Sequence, residues 1–199
     1  MVSIAVVLVA AIPSSRRAVL RAAGGWLIVS DPLERADVGV VPEFGEGSEL
    51  EAADLYQHHM FSRIVLLEPS PTVVEREYAR RGVYRDDVVA TTLKHLGVPE
   101  DAIVHVDAGE GGTTESTQAL ADWIRVHPSR AIVVVIPSHA RRFRRTLMRV
   151  WPPNTPVPLV TVPRYNSFRA DDWWTSRRTL RDGAFELQKL VFDYVQHPF

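Results

Sequence analysis

The run Pro137-Ser-His-Ala-Arg-Arg gathers side chains suited to proton transfer and anion binding. Histidine titrates near neutrality, so His139 can act as acid or base. Arg142 follows one helical turn later and falls on the same side of a helix that starts here. At a helix N-terminus, such a pair holds a phosphate or carboxylate. Arg145 and Arg149 continue the row, and Arg141, Arg144 and Arg149 read most simply as a solvated basic face. Ser138 lacks the flanking glycines of a G-x-S-x-G nucleophile elbow, so it is counted as a ligand-binding hydroxyl rather than a nucleophile.

A second candidate is the loop Asp107-Ala-Gly-Glu-Gly-Gly-Thr-Thr-Glu, which opens a helix. Free N–H groups at that helix start favour an anion, and Gly111 and Gly112 would let one approach the backbone. Thr113, Thr114 and Ser116 add hydroxyls, and Glu115 adds a carboxylate that could share acid–base work with His139. A plain turn with Thr113 as N-cap fits the same residues equally well. Neither the dinucleotide fingerprint nor the P-loop pattern is present. Glu43, Asp107 and Glu115 could join His139 around a divalent metal, but no spacing is a metal signature, and ordinary loop acids are the simpler reading. Trp173, in Asp171-Asp-Trp-Trp, could wall a pocket and stack on a ring, or belong to a core. Histidines 58, 59, 95, 105, 127 and 197 read as structural or solvated.

These residues need strands to carry them. Val38–Val41, Ile64–Leu67, Ile103–Val106, Ile132–Ile136 and Leu159–Val162 are short apolar runs, and Ile132–Ile136 is β-branched throughout, as suits a strand buried on both faces. Helical periods fill the gaps, between Gly47 and Phe61, from Asp86 to Leu96 and from Thr114 to Val126. Near the end, Leu180, Ala184, Leu187, Val191 and Tyr194 form a further apolar stripe. Alternating strands and helices predict a Rossmann-like α/β three-layer sandwich with a mainly parallel sheet of about five strands. Ligands of such sheets bind outside the strand carboxyl ends. That rule selects the loops 42–47, 68–72, 107–114 and 137–140, hence Glu43 and His139.

The 199 residues suit a single domain at 31–199 after an apolar helical segment at 1–30. A net charge of −1 gives no general argument for nucleic acid as a partner. Charge is locally uneven, with five arginines over 141–149 and five carboxylates over 43–54. The absence of cysteine excludes disulfides, thiolate zinc ligands and thiol catalysis. Val2 to Ile12 is almost wholly apolar but shorter than the ~20 residues a membrane span needs. It reads as the tail of a truncated membrane anchor, an interfacial helix, or a helix packed on the domain. Ala18 to Val29 carries Arg21 and two glycines and reads as a packed amphipathic helix.

From about Asp31 to Tyr194 the chain resembles the bacterial family typified by the SanA, ElyC and YdcF proteins. Asp31-Pro-Leu with Ala36-Asp37 resembles the start of that domain, and Gly97-Val-Pro resembles its Gly-Val-Pro element. Thr113-Thr-Glu-Ser resembles its Thr-x-Glu-Asn motif, with Ser116 where Asn is usual. Ser138-His-Ala-Arg-Arg resembles its Ser-x-His-x-x-Arg motif in shortened form. Asp172-Trp-Trp and Glu186 resemble its C-terminal Trp and Glu elements. The resemblance implies a Rossmann-like fold, a site at the strand ends, and a role at the cell envelope through an N-terminal anchor, with a cytoplasmic location as the alternative. It supplies no reaction. The chain departs from the family after the first strand, with Pro42-Glu-Phe-Gly-Glu-Gly, and after the second, with Glu68-Pro-Ser-Pro.

Three functions are therefore expected in turn. The first is binding of a small phosphate-containing or nucleotide-like anion, an adenosyl compound among them, by Glu43, Thr113, Thr114, Ser116, Ser138, Arg142 and Trp173, with His139 and Glu115 as proton-transfer groups. The second is a non-catalytic envelope scaffold or sensor. The third is a metal-dependent hydrolase.

Overall fold

The computed structural model describes residues 13–83, 87–110 and 112–198. The elements run α1 (Pro13–Leu27), β1 (Val38–Val41), α2 (Ser48–Gln57), β2 (Arg63–Glu68), α3 (Val73–Arg80), α4 (Val88–His95), a 3₁₀ turn (Glu100–Ala102), β3 (Ile103–Asp107), α5 (Thr113–Val126), β4 (Ala131–Val134), α6 (Ala140–Val150), β5 (Leu159–Thr161) and α7 (Arg177–Gln196). The five strands form one parallel sheet in the order β3-β2-β1-β4-β5.

Continuous apolar strands follow from burial on both faces. In β2, Ile64 and Leu66 face a layer that includes Ala52 and Leu55 of α2 and Leu93 of α4. Val65 and Leu67 face Leu120 and Ile124 of α5 and Phe143 and Leu147 of α6. Ile132 and Val134 of β4 point to the first layer, and Val133 to the second. Each side chain along a strand therefore meets a helix on its own side, which gives the expected three-layer sandwich.

A third cluster lies beside α6, where Leu27 of α1 and Leu190 of α7 pack around Phe168 and Trp173. Trp173 is a wedge in this seam, with its indole N–H donating to the Leu20 carbonyl at 2.8 Å. Glycines make room for it on both sides. A Cβ on Gly24 would stand 2.5 Å from the indole Cδ1, and one on Gly183 would stand 2.5 Å from Cε3. Trp173 is thus a core residue, one of the two readings its sequence allowed. The helix expected over 18–29 is α1, while residues 1–12 lie outside the described part of the chain. No helix among the described residues is long and apolar enough to cross a membrane.

Two differences from the sequence pattern bear on the site. The face of α7 that packs inward is Thr179, Gly183, Glu186, Leu190 and Asp193. The expected apolar stripe lies one residue further along, and its Leu180 and Val191 are exposed. The second difference lies opposite, in the arginine row of α6. Arg145 and Arg149 both bind the buried Asp193 carboxylate, and Arg144 binds Asp31. Arg141 donates to the Trp26 carbonyl. The row ties α6 to α7, to α1 and to the segment after α1 rather than forming a solvated face, and it draws the acidic stripe of α7 inward.

The strand order reverses between β1 and β4, because the chain builds outward through β2 and β3 and then returns to the other side of β1. A crevice therefore opens at the carboxyl ends of β1 and β4, the switch point where open α/β sheets bind ligands.

Candidate functional site

A cavity of about 410 Å³ occupies this crevice. Glu43 enters it from the loop after β1, Ser138 and His139 from the end of β4, Thr113 from the start of α5, and Glu186 and Lys189 from α7. That volume falls in the range of sites for small organic molecules.

His139 is the centre of the constellation, and its side chain is only 4% exposed. Its Nδ1 lies 3.0 Å from Glu186 Oε2 and its Nε2 lies 3.1 Å from Glu43 Oε1. Burial pushes the imidazole pKa down, but hydrogen bonds to Glu186 and Glu43, with the charge of Glu43, outweigh it and hold the group above its ordinary range. The raised pKa favours the protonated ring, which donates one N–H to each carboxylate. Arg142 Nη2 also comes within 2.9 Å of Nδ1, but two donors cannot bond each other, and its acceptor is Glu186 Oε1 at 3.1 Å.

Glu186 gathers the positive charges. Arg142 Nε donates to Oε2 at 2.8 Å and Lys189 Nζ to Oε1 at 2.8 Å. Burial would raise this carboxyl, yet the bonds from His139 and Arg142, with that from Lys189, hold it well below the usual carboxylate range. Arg142 Nη1 donates to Thr113 Oγ1 at 2.8 Å. A guanidinium has five N–H donors, and those to Glu186 and Thr113 use three of them, which leaves two uncommitted among the described residues.

Two helices begin at this cavity, α5 behind Gly112 and α6 behind His139, and neither N-cap side chain bonds its helix. Their first-turn amides leave partial positive charge at the pocket. Ser138 is 6% exposed, and the surface it keeps lines the cavity. Its hydroxyl makes no hydrogen bond among the described residues. The Thr113 hydroxyl lies 3.3 Å from His139 Nε2. Because a protonated imidazole needs no donor there, the hydroxyl hydrogen is free to turn to the cavity.

The far wall is set by an unusual turn. Gly45, Glu46 and Gly47 have φ of 86°, 56° and 88° in succession. A left-handed glutamate costs about 1 kcal/mol, and here it is held by Asn166 Nδ2, which donates to the Glu46 carbonyl at 2.8 Å, and by an ion pair with Arg178. Gly47 allows the loop after β5 to close in, since a Cβ there would stand 2.9 Å from the Tyr165 carbonyl oxygen.

Of the residues picked from the sequence, Glu43, Thr113, Ser138, His139 and Arg142 line one cavity. Glu115 is exposed, and its carboxylate curls over Gly112. Thr114 is exposed and Ser116 is buried in α5, and neither lines the cavity. Gly112 is the N-cap and Thr113 the first helical residue. Glu46, Asn166 and Lys189 were not singled out, and Glu186 entered only as part of a motif resemblance. An acid three residues before a lysine, within an apolar helix, was the available signal for Glu186.

No family model matches the chain, and no curated protein sequence matches it.

Proposed function

We propose that this domain binds a small anionic, phosphate-containing molecule in the crevice between the ends of β1 and β4. The observation that carries the reading is the unpartnered hydroxyl of Ser138, a largely buried residue whose remaining surface faces the cavity, where two helix N-termini meet His139. Ser138 and Thr113 would donate to ligand oxygens, and the first-turn amides of α5 and α6 would surround them. Arg142 would add its two remaining N–H donors, and Lys189, 57% exposed at the rim, would add charge on approach. His139 is the group that could give a proton to a leaving oxygen and regain it from solvent water, with the Glu43 carboxylate next to its Nε2 favouring the charged ring. A nucleotide or adenosyl compound fits this chemistry through its phosphate or carboxylate. Resemblance to the SanA, ElyC and YdcF proteins supports a site in this place.

The test is thermal unfolding against inorganic phosphate, pyrophosphate, nucleoside monophosphates and adenosyl compounds. Ligand at about 100 times its Kd adds about 2.7 kcal/mol, a rise of roughly 5–10 °C for a chain of this size. Ser138→Ala should weaken the response, and the His139→Ala, Arg142→Ala double variant should abolish it. A response that survives in the double variant, or no response to any anion, would sink the reading.

A second reading, an envelope scaffold, is favoured by apolar side chains left exposed on α1 and α7, among them Val19, Trp26, Phe192 and Val195. Cell fractionation tests it, and recovery wholly in the soluble fraction would count against it.

A further inference from the structure

We propose a second site, in which Glu68, Asp87 and His105 bind one divalent first-row transition ion such as Zn2+. The three residues come from separate elements, at the end of β2, at the N-cap of α4 and within β3. None of them lines the cavity at His139. His105 Nδ1 is 2.6 Å from Glu68 Oε1 and 3.7 Å from Asp87 Oδ2. All three ligand atoms lie within 4.8 Å of one another, and no other such trio of His or carboxylate side chains occurs among the described residues. Bonds of about 2.1 Å to a tetrahedral ion set ligand atoms about 3.4 Å apart. Small side-chain rotations therefore suffice to admit the ion.

All three positions are fixed by backbone structure. Asp87 Oδ1 accepts from the amides of Val89 and Ala90 at 3.1 and 3.0 Å. That N-cap bond locks the carboxylate and leaves Oδ2 as the oxygen turned to His105. Glu68 and His105 are held by the β2–β3 register, which pairs Leu66 with His105 and Glu68 with Asp107. Without an ion, the imidazole N–H bonds Glu68 Oε1 alone, and Asp87 Oδ2 at 3.7 Å lies beyond hydrogen-bond reach. A divalent ion bound at Nδ1, with the ring proton on Nε2, meets two carboxylate charges and a neutral nitrogen, so the charges cancel.

The donor set selects the class of ion. One imidazole and two carboxylates suit Zn2+, Co2+ or Ni2+ more than the all-oxygen shells of Ca2+ and Mg2+. Side-chain exposures of 33%, 42% and 47% for Glu68, Asp87 and His105 leave the remaining coordination positions to water or an incoming ligand. Such an open shell belongs to a reactive or regulatory site rather than a closed structural one.

The experiment is titration of the chelator-stripped full chain with Co2+, read by its visible absorption, and with Zn2+ by calorimetry, in phosphate-free buffer. One ion per chain is expected. His105→Ala should weaken binding at least about tenfold. Asp87→Ser, which keeps a capping hydroxyl and so preserves α4, should do the same, while His95→Ala should match the unaltered protein. No saturable binding at millimolar ion would overturn the proposal. So would binding unchanged in both His105→Ala and Asp87→Ser, or binding lost only in His139→Ala.

Discussion

His139 is buried between two carboxylates, and its charge is therefore tied to folding. Its folded pKa is raised above the unfolded value of about 6.5, so its contribution is fully present below that pH and fades as pH rises through the folded value. The urea midpoint should fall on the alkaline side, and His139→Gln should flatten that slope. An unchanged slope in the variant would mean that the imidazole is neutral in the fold. Anion affinity should fall over the same range. Glu186 works in the opposite sense. Its folded pKa is depressed, so its contribution is present above about 4.5 and lost in acid. Glu186→Ala would leave His139 and Arg142 without their shared partner, and breaking a buried pair costs about 3 kcal/mol. Equilibrium denaturation at neutral pH should show it. The importance of His139 was legible from its place after the strongest strand. That of Glu186 was not, because its bonds span 47 residues to His139 and 44 to Arg142, and nothing local marks them.

Helices α6 and α7 illustrate what period counting captures and what it misses. The apolar period placed α7 correctly as an element but put its inward face one residue off. The partner surface decided the matter. Arg142 and Arg149 are two turns apart, as are Glu186 and Asp193, and the two pairs bond across the interface. Helix α3 escaped notice for the converse reason. It buries no residue, and its Val73, Val74 and Tyr78 stay exposed, so no core contact marks it, although the Thr72–Glu75 capping box was there in the sequence. On α7 itself, Gly183→Ala should destabilise the protein by roughly 1–2 kcal/mol. The gain in helix propensity of about 1 kcal/mol is outweighed by overpacking against Trp173. A more stable variant would show that the α1–α7 seam yields easily. Loss of near-UV circular dichroism from the displaced indole should accompany the destabilisation.

At the scale of the molecule, all five expected strands are present, with ends shifted by up to two residues. Runs such as Ile132–Val134 are apolar on both sides because helices cover both faces, and the same fact makes them easy to recognise. The strand order was not legible, since it depends on which pairings the helices permit, yet it places the crevice. The α1–α7 seam also has a temporal side. Leu20 and Trp173 are 153 residues apart, so at synthesis rates of about 5–20 residues per second α1 leaves the ribosome roughly 8–30 s before its partner. During that interval Leu20, Ala23 and Leu27 have no surface to bury against. Nascent chains stalled before α7 emerges should be cut within α1 by a protease that spares the released protein. Protection of α1 in those shorter chains would mean that it docks elsewhere first. A growing chain thus leaves the apolar side chains of α1 uncovered while the 153 residues that separate Leu20 from Trp173 are made, and chaperones that scan emerging polypeptides have that long to find them.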